Sequence, residues 1–506
     1  MRRELLGTRH EDGVALVAAV GAIMILLVIS FGLILYGQNA LTKVMEQKKY
    51  VKALNLADAG VDHVSWLYKT RSLPESYYTT TITLNFGSEG QCKLRVYEGD
   101  VGFEKRIVSV GYAPDGTKKA VEVTLFSMNI WDLLLSAGNN TENRRPGGSG
   151  GIQGNGMVQG PLYIRGNLPM LQGTFDLYEG PLFVKDGSIV KGSTAGNIGT
   201  AAQRVQAYVE GNASGAIFNK QMQPLTSNEQ LEAMNIYLSK LSRKVPDIEF
   251  PAITQSVLDE SWNTARQEAT DNKLPSYPAS ASTINFNEAT ISKMLGGTMT
   301  YYKVVDNDGA ANASLKASGT TIHIGSGPSF GIVDVDGDGA ITNTDRNYWE
   351  FAYDASQRRL YIRGTVFVDG DVSFDGNVVY TGRGTLVING TCTINGQLLA
   401  SSDYPEVNTL GLVVNGDLRI AVGSANDNVD DVEVAAFVQG DTIFNATNTQ
   451  FYGAMIAGYI DMASANNIKL ILADALPSNL PPSLPASQSN IVTIIGWREV
   501  RVPAGF

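Results

Sequence analysis

Tyr361–Phe374 reads YIRGTVFVDGDVSF. Apolar and polar residues alternate along it, a polar-glycine corner breaks it at Asp369-Gly370-Asp371, and a second short apolar run follows. Alternation with a period of two is the pattern of a strand with one face buried. The same parts return in TLVINGTCTI (Thr385–Ile394), GLVVNGDLRI (Gly411–Ile420) and AAFVQGDTIF (Ala435–Phe444). They align on Gly370, Gly390, Gly416 and Gly440, which stand 20, 26 and 24 residues apart. Upstream, QGPLYIRGNL (Gln159–Leu168) is echoed by EGPLFVKDGS (Glu179–Ser188) after 20 residues. A period of this length with short strands points to a parallel β-solenoid, in which each turn buries its Val, Ile, Leu and Phe by stacking on the next. Corner glycines and Asn or Asp supply the positive φ that the bends require. A Greek-key sandwich is the alternative, and the near copy at Gln159 and Glu179 argues against it.

Working outward, Thr79–Phe126 holds four alternating runs, ITLNF, CKLRVYE, RIVSVGY and KAVEVTLF, with turns at SEG and PDG. These predict a small antiparallel sheet. Between the repeats, Thr226–Lys244 reads as a helix that opens on a Ser227/Gln230 capping box and carries Leu231, Met234, Leu238 and Leu241 on one face. Residues 255–269 form a second helix candidate. The stretch 201–285 is therefore expected to be a helical insertion. The tail is proline-rich over Leu476–Ser487, and Ile491–Val502 follows as a last strand with Trp497 as a core anchor.

At the other end stands VALVAAVGAIMILLVISFGLILY, Val14–Tyr36, 23 residues without charge or proline. At about 1.5 Å per residue it is long enough to cross a hydrocarbon core of ~30 Å. The preceding MRRELLGTRHEDG is short and charged and ends in Gly13. An ordinary secretory signal puts its cleavage site after the apolar core. Here the cut that suggests itself, between Gly13 and Val14, lies before that core and leaves it on the mature chain. Helical periodicity continues to about Tyr68, with Leu41, Val44, Met45, Val51, Leu54 and Leu56 on one face and Val61, Val64 and Leu67 extending it.

This order of parts resembles the class III signal of type IV pilins and type II secretion pseudopilins. The resemblance implies a prepilin peptidase acting after Gly13. Major pilins carry Glu at the fifth mature position; this chain has Ala18 there, a departure that matches PilX-type minor pilins and K-type pseudopilins, which often lack that Glu. KALNLADAGVDHVSWLY (Lys52–Tyr68) is similar to the AxxAEAGxE segment of the PilX N-terminal family, with Asp58 in place of Glu. The resemblance implies a minor pilin or pilus-associated subunit, single-pass in a bacterial inner membrane with its head exported. Its partners would be other pilins, inner-membrane pilus assembly proteins and a surface or glycan ligand. A membrane-anchored adhesin, or a pseudopilin not built into a pilus, is the alternative.

One motif carries metal chemistry. In DVDGDGAITNTD, oxygen ligands fall at Asp334, Asp336, Asp338, the Ala340 backbone, Thr342 and Asp345. Gly339 makes the sharp turn and Ile341 fills the apolar slot. The pattern is a twelve-position Ca²⁺ loop, dockerin-like in ending on Asp. The weaker acidic turns Val305–Ala310 and Asn426–Asp431 lack the ligand spacing.

The 506 residues exceed one compact core. The expected fold is mainly β: leader 1–13, transmembrane and amphipathic helix 14–70, small antiparallel domain 76–130, solenoid parts 136–200 and 358–475, helical insertion 201–285, connecting region 286–357 and tail 476–506. A net charge of −11 argues against a nucleic-acid partner. Cys92 and Cys392 form no CxxC, and His10, His63 and His323 have no metal-ligand spacing. Export would permit a disulfide. Asp369, Asp371, Asp375, Asp417 and Asp441 recur at corners, where a bend needs them, and no nucleophile motif accompanies them. No enzyme is expected.

Overall fold

The computed structural model describes residues 8–99, 103–137, 155–170, 173, 175–193, 195–248, 253–261, 299–303, 314–317, 321–326, 340, 342, 351–423, 430–462, 464–485 and 490–506. The fold is mainly β, with mostly parallel sheets and one long apolar N-terminal helix. It divides into a unit made of residues 1–127 and 494–506 and a unit made of residues 128–493.

In the first unit, α1 (Thr8–Lys69) is one unbroken helix of 62 residues. Leu16 through Val51 stay exposed apart from a few half-buried positions. From Ala53 onward one face is buried, through Leu56, Ala57, Gly60, Val61, Val64, Leu67 and Tyr68. Of the apolar face expected along the helix, Leu56, Val61, Val64 and Leu67 lie in this contact, and Leu41, Val44, Met45 and Val51 come before it. Those side chains are 49–65% exposed, and small residues further along make the contact. The partner is an antiparallel sheet in the order β1 (Ile82–Asn85), β2 (Gln91–Glu98), β3 (Glu104–Tyr112) and β4 (Lys118–Met128). The C-terminal strand β5 (Ile491–Val500) joins at β4.

The reason for the small residues is distance. A Cβ on Gly111 would stand 2.0 Å from the Ala53 carbonyl oxygen, and one on Gly60 would stand 2.4 Å from Ser109 Oγ. Helix and sheet approach to where only glycine fits. Cys92, Leu94 and Val96 alternate inward to complete this core. Trp497 is not the core residue expected; it is 49% exposed, and its indole N–H donates to Asp58 at 3.0 Å.

The second unit is built from parallel ladders. The first ladder runs, neighbour to neighbour, Ser314–Ala317, Gly364–Asp369, Arg383–Ile388, Thr409–Val414, Val432–Phe444 and Gln450–Asp461. It continues through Leu135–Ala137, Leu162–Arg165, Leu182–Lys185, Val205–Val209 and Leu238–Ser242. A second ladder carries Ile322–Ile324, Val372–Phe374, Cys392–Ile394 and Leu418–Ile420. A third carries Arg359–Ile362, Val378–Thr381 and Leu398–Ala400, and further along Asn466–Leu472, Asn155–Gln159 and Phe175–Tyr178. Each repeat gives one strand to each ladder in turn. Inward side chains such as Val366, Leu386, Leu412 and Ala436 stack in register in one continuous core.

The two repeat regions are therefore neighbours in one sheet. Met455 pairs with Leu135, and Lys469 pairs with Met157. The chain enters at Leu134 and leaves at Leu472, and a Cβ on Gly160 would stand 3.1 and 2.9 Å from the Cβ atoms of those two residues. From Leu134 the chain builds one half outward to Ser242, returns at Ser314 to the far end, and works back to the junction.

The expected helical insertion over 201–285 is corrected where it is described. Strands Val205–Val209, Ile217–Asn219 and Leu238–Ser242 occupy it. The Ser227/Gln230 capping box exists, but its helix is only Asn228–Ala233. Asn235 at φ 57° ends it, and Leu238–Ser242 then alternates against Val205–Val209. Four apolar residues at helical spacing had concealed a strand. Residues 255–261 are helical.

The proline-rich tail lies along the outer face of the first ladder. Pro482 O accepts from Thr385 Oγ1, Asn479 O accepts from Arg383 at 2.9 Å, and Pro485 O accepts from the buried Trp131 indole at 2.9 Å. Thr365, Thr385, Gly411 and Ala435 form the row of small residues on which it rests. A Cβ on Gly411 would meet Pro481 Cγ at 2.9 Å.

Candidate functional site

Three places were expected to carry function. Gly13 and Val14 both lie within α1, on its first turns. Beyond them, the helix is long and apolar enough to cross a membrane, with a mean hydropathy of 2.8 in its best window and none of that window buried. Of the calcium loop, Asp334, Asp336, Asp338 and Asp345 lie outside the described residues. Ala340 and Thr342 are described in isolation. The weaker acidic turn at Val305–Ala310 likewise lies outside. Of the other, Asp431 is buried and accepts from Gln397 Nε2 at 3.1 Å and from the Gln450 amide at 3.0 Å, which is a structural role.

The corner glycines stack as the repeat predicts. The Gly416 amide donates to Gly390 O at 2.9 Å, and the Gly440 amide donates to Gly416 O at 3.1 Å. A Cβ on Gly390 would lie 2.4 Å from Gly370 O. The corner carboxylates tie neighbouring repeats together. Asp371 Oδ1 accepts the Thr391 amide at 2.7 Å, and Asp417 Oδ1 accepts the Asp441 amide at 3.0 Å. These groups spend their lone pairs on backbone, which is what a bend needs and a catalytic acid does not. The side chain of Asp369 is outside the described residues.

Asp375 differs from the others, and sequence reasoning missed why. His323, which has no metal-ligand spacing in the sequence, pairs through Nδ1 with Asp375 Oδ2 at 2.5 Å. Ser326 Oγ donates to the same oxygen at 2.9 Å, while Ser373 and Asn395 donate to Oδ1 at 2.7 and 3.0 Å. Burial pushes the Asp375 carboxyl up, but these four hydrogen bonds outweigh it and bring it down to about 2. The contact follows from ladder pairing, since His323 is opposite Ser373 in parallel register. The residues are 52 apart, and no local spacing announces them. Serine and histidine both serve one carboxylate oxygen. The serine is not aligned on the imidazole, so the trio lacks the nucleophile-to-base contact of a hydrolase triad.

Two thiols and one lysine are buried. Both cysteines are free and buried. Burial pushes the Cys92 thiol up to about 11 and that of Cys392 higher still, which disfavours the thiolate at both. Lys191 is fully buried, donates to Ala195 O at 3.0 Å, and is brought down to about 8 by burial. Among the described residues, no group of three or more His, Cys, Asp and Glu is placed to hold a metal ion. No family model, curated protein or solved structure matches the chain.

Proposed function

We propose that the chain is a minor pilin or pilus-associated subunit of a type IV pilus-like machine, with its head exported from a bacterial inner membrane. The observation that carries this reading is the division of α1. Val14–Tyr36 is apolar, the helix stays bare to Val51, and from Ala53 onward it is sheathed by an antiparallel sheet seated on Ala53, Ala57 and Gly60. A helix half in lipid and half in a head is what extraction from a membrane into a filament requires. The parallel ladders support a β-solenoid as the exported head, available for assembly, surface display or adhesion. A membrane-anchored adhesin shares every one of these features except the cut after Gly13. N-terminal sequencing of the chain from cells with and without prepilin peptidase separates the two. A mature terminus at Val14 that depends on the peptidase is expected; an intact leader, or a cut beyond Tyr36, overturns the pilin reading.

The proposal includes one Ca²⁺ on Asp334, Asp336, Asp338, Asp345, the Ala340 carbonyl and Thr342. Four carboxylates this close repel one another, and a cation relieves that. The ion would stabilise the head and has no catalytic part. With Ca²⁺ at 100 times Kd the gain is about 2.7 kcal/mol. The melting temperature is expected to rise with Ca²⁺ relative to chelator, and Asp334→Ala with Asp338→Ala to remove the difference. Melting indifferent to Ca²⁺ in the unaltered chain removes the ion from the proposal.

A further inference from the structure

We infer that the span-facing end of the first unit is a docking surface for anionic lipid headgroups. This rests on the reading of α1 as a membrane span. Within the unit the direction of the span is fixed, because α1 is unbroken and the sheet packs on it from Ala53 onward. Asp115 pairs with Lys49 at 3.3 Å and Glu89 with Lys52 at 2.6 Å. The turns that precede β2 and β4 therefore lie at the level of residues 49–52, at the end of the sheet nearest the span. The opposite end is marked by Tyr77 on His63 and Tyr78 on Tyr68.

Lysine collects at the span-facing end. Lys43 and Lys48 stand on the bare helix below the sheet. Lys93 and Lys118 both lie over the Tyr112 ring, 5.4 and 4.9 Å from its centroid, and Lys119 lies 4.1 Å over Tyr50. Such rings hold a cation in place without neutralising it. Of the acids here, Glu89, Asp115 and Glu499 are each tied to a lysine. Only Glu46 stands against Lys43, Lys48, Lys93 and Lys118, none of which makes an ion pair among the described residues. The first unit holds 17 basic and 14 acidic residues, the second 22 and 36. The positive excess of an acidic protein is thus gathered beside its apolar span.

Geometry favours the bilayer as the occupant. Lys43 is seven residues beyond Tyr36, about 10 Å along the helix, and Lys49 about 20 Å. Leu41, Val44 and Met45 lie between and are 59–65% exposed, apolar side chains that a membrane interface covers better than water. An apolar stretch longer than the hydrocarbon is accommodated by tilt. Tilt toward the sheet lowers the lysine end toward the headgroup layer, where charges act over ~8 Å at physiological salt. Juxtamembrane basic clusters bind anionic leaflets in this way.

The test uses the full chain in lipid discs of phosphatidylcholine, alone or mixed with phosphatidylglycerol. Surface amines are acylated in a short pulse and read by mass spectrometry. Lys93 and Lys118 are expected to react several-fold more slowly in the anionic discs, with the difference lost at high salt. Lys220 and Lys244 in the second unit should not change. In a Lys43→Gln, Lys48→Gln, Lys93→Gln, Lys118→Gln variant, the slower reaction of Lys119 in anionic discs should disappear. Equal rates in the two discs overturn the proposal. A chain that fails to insert into either disc overturns the span reading instead, and this inference with it.

Discussion

The antiparallel sheet of the first unit and the parallel ladders of the second bury apolar surface by opposite means. The first has one partner, α1, and gains its fit from two points where backbone meets backbone or side chain with no Cβ between. The second buries its inward side chains against its own repeats. Each repeat is covered by the next, and the same contact is made many times. The lesson is about where tolerance lies. A fit made once cannot be shared out, whereas a stacked contact can yield a little at each level.

Several substitutions can break or sharpen that contrast. The largest effect is expected from Gly111→Val. Its Cβ would fall 2.0 Å from a main-chain oxygen of α1, and backbone cannot move aside as a side chain does. The loss should exceed about 4 kcal/mol, with the first unit unfolded by near-UV circular dichroism. A native-like spectrum would break the contrast at its root. Next come Leu386→Ala and Leu182→Ala, from the two halves of the stack. Both leucines are buried in the same core, and each change should cost about 2–5 kcal/mol. If the halves fold as one, both variants lower the same calorimetric transition of the second unit; two separately shifted transitions would show the junction at Met455 and Leu135 to be weak. Gly390→Ala also brings a Cβ against backbone, 2.4 Å from Gly370 O, and so tests the contrast directly: a clash shared along the stack should cost about 1–3 kcal/mol, and a loss as large as that of Gly111→Val would break the contrast.

The smallest effect is electrostatic. Asp375 is held at about 2 in the folded chain, against about 3.9 unfolded. A depressed carboxyl contributes stability that is full above its unfolded pKa and is lost as pH falls through the folded one. The second unit should therefore lose stability between about pH 4 and 2, and Asn395→Ala should move that loss to higher pH. Urea titrations across this range in both proteins check it. Superimposable curves would reduce the Asp375 network to packing.

Much of this was legible in the residues. The repeat spacing of 20, 26 and 24 is the register of the ladders, since Gly364 pairs with Gly384, Thr385 with Gly411 and Gly411 with Ala435. Stacking enforces that periodicity, so it is written locally. The pairing of Met455 with Leu135 is not, because it joins positions 320 residues apart that share no repeat phase. The contact of His323 with Asp375 was hidden for the same reason. Leu238–Ser242 misled because apolar spacing at three and four residues fits a helix until an edge strand offers a ladder. Trp497 misled in another way: size suggested a core, but its N–H found Asp58 at the surface. For the bare stretch of α1, periodicity could not tell a face turned to protein from one turned to lipid.

The second unit begins and ends at its own middle. Leu134 and Leu472 meet over Gly160, while the extremes of the stack are formed by interior stretches of the chain. Repeats could therefore be gained or lost at either extremity of the stack without moving the place where the chain enters and leaves the ladders. The number of turns is a quantity that can change separately from the junction that closes them.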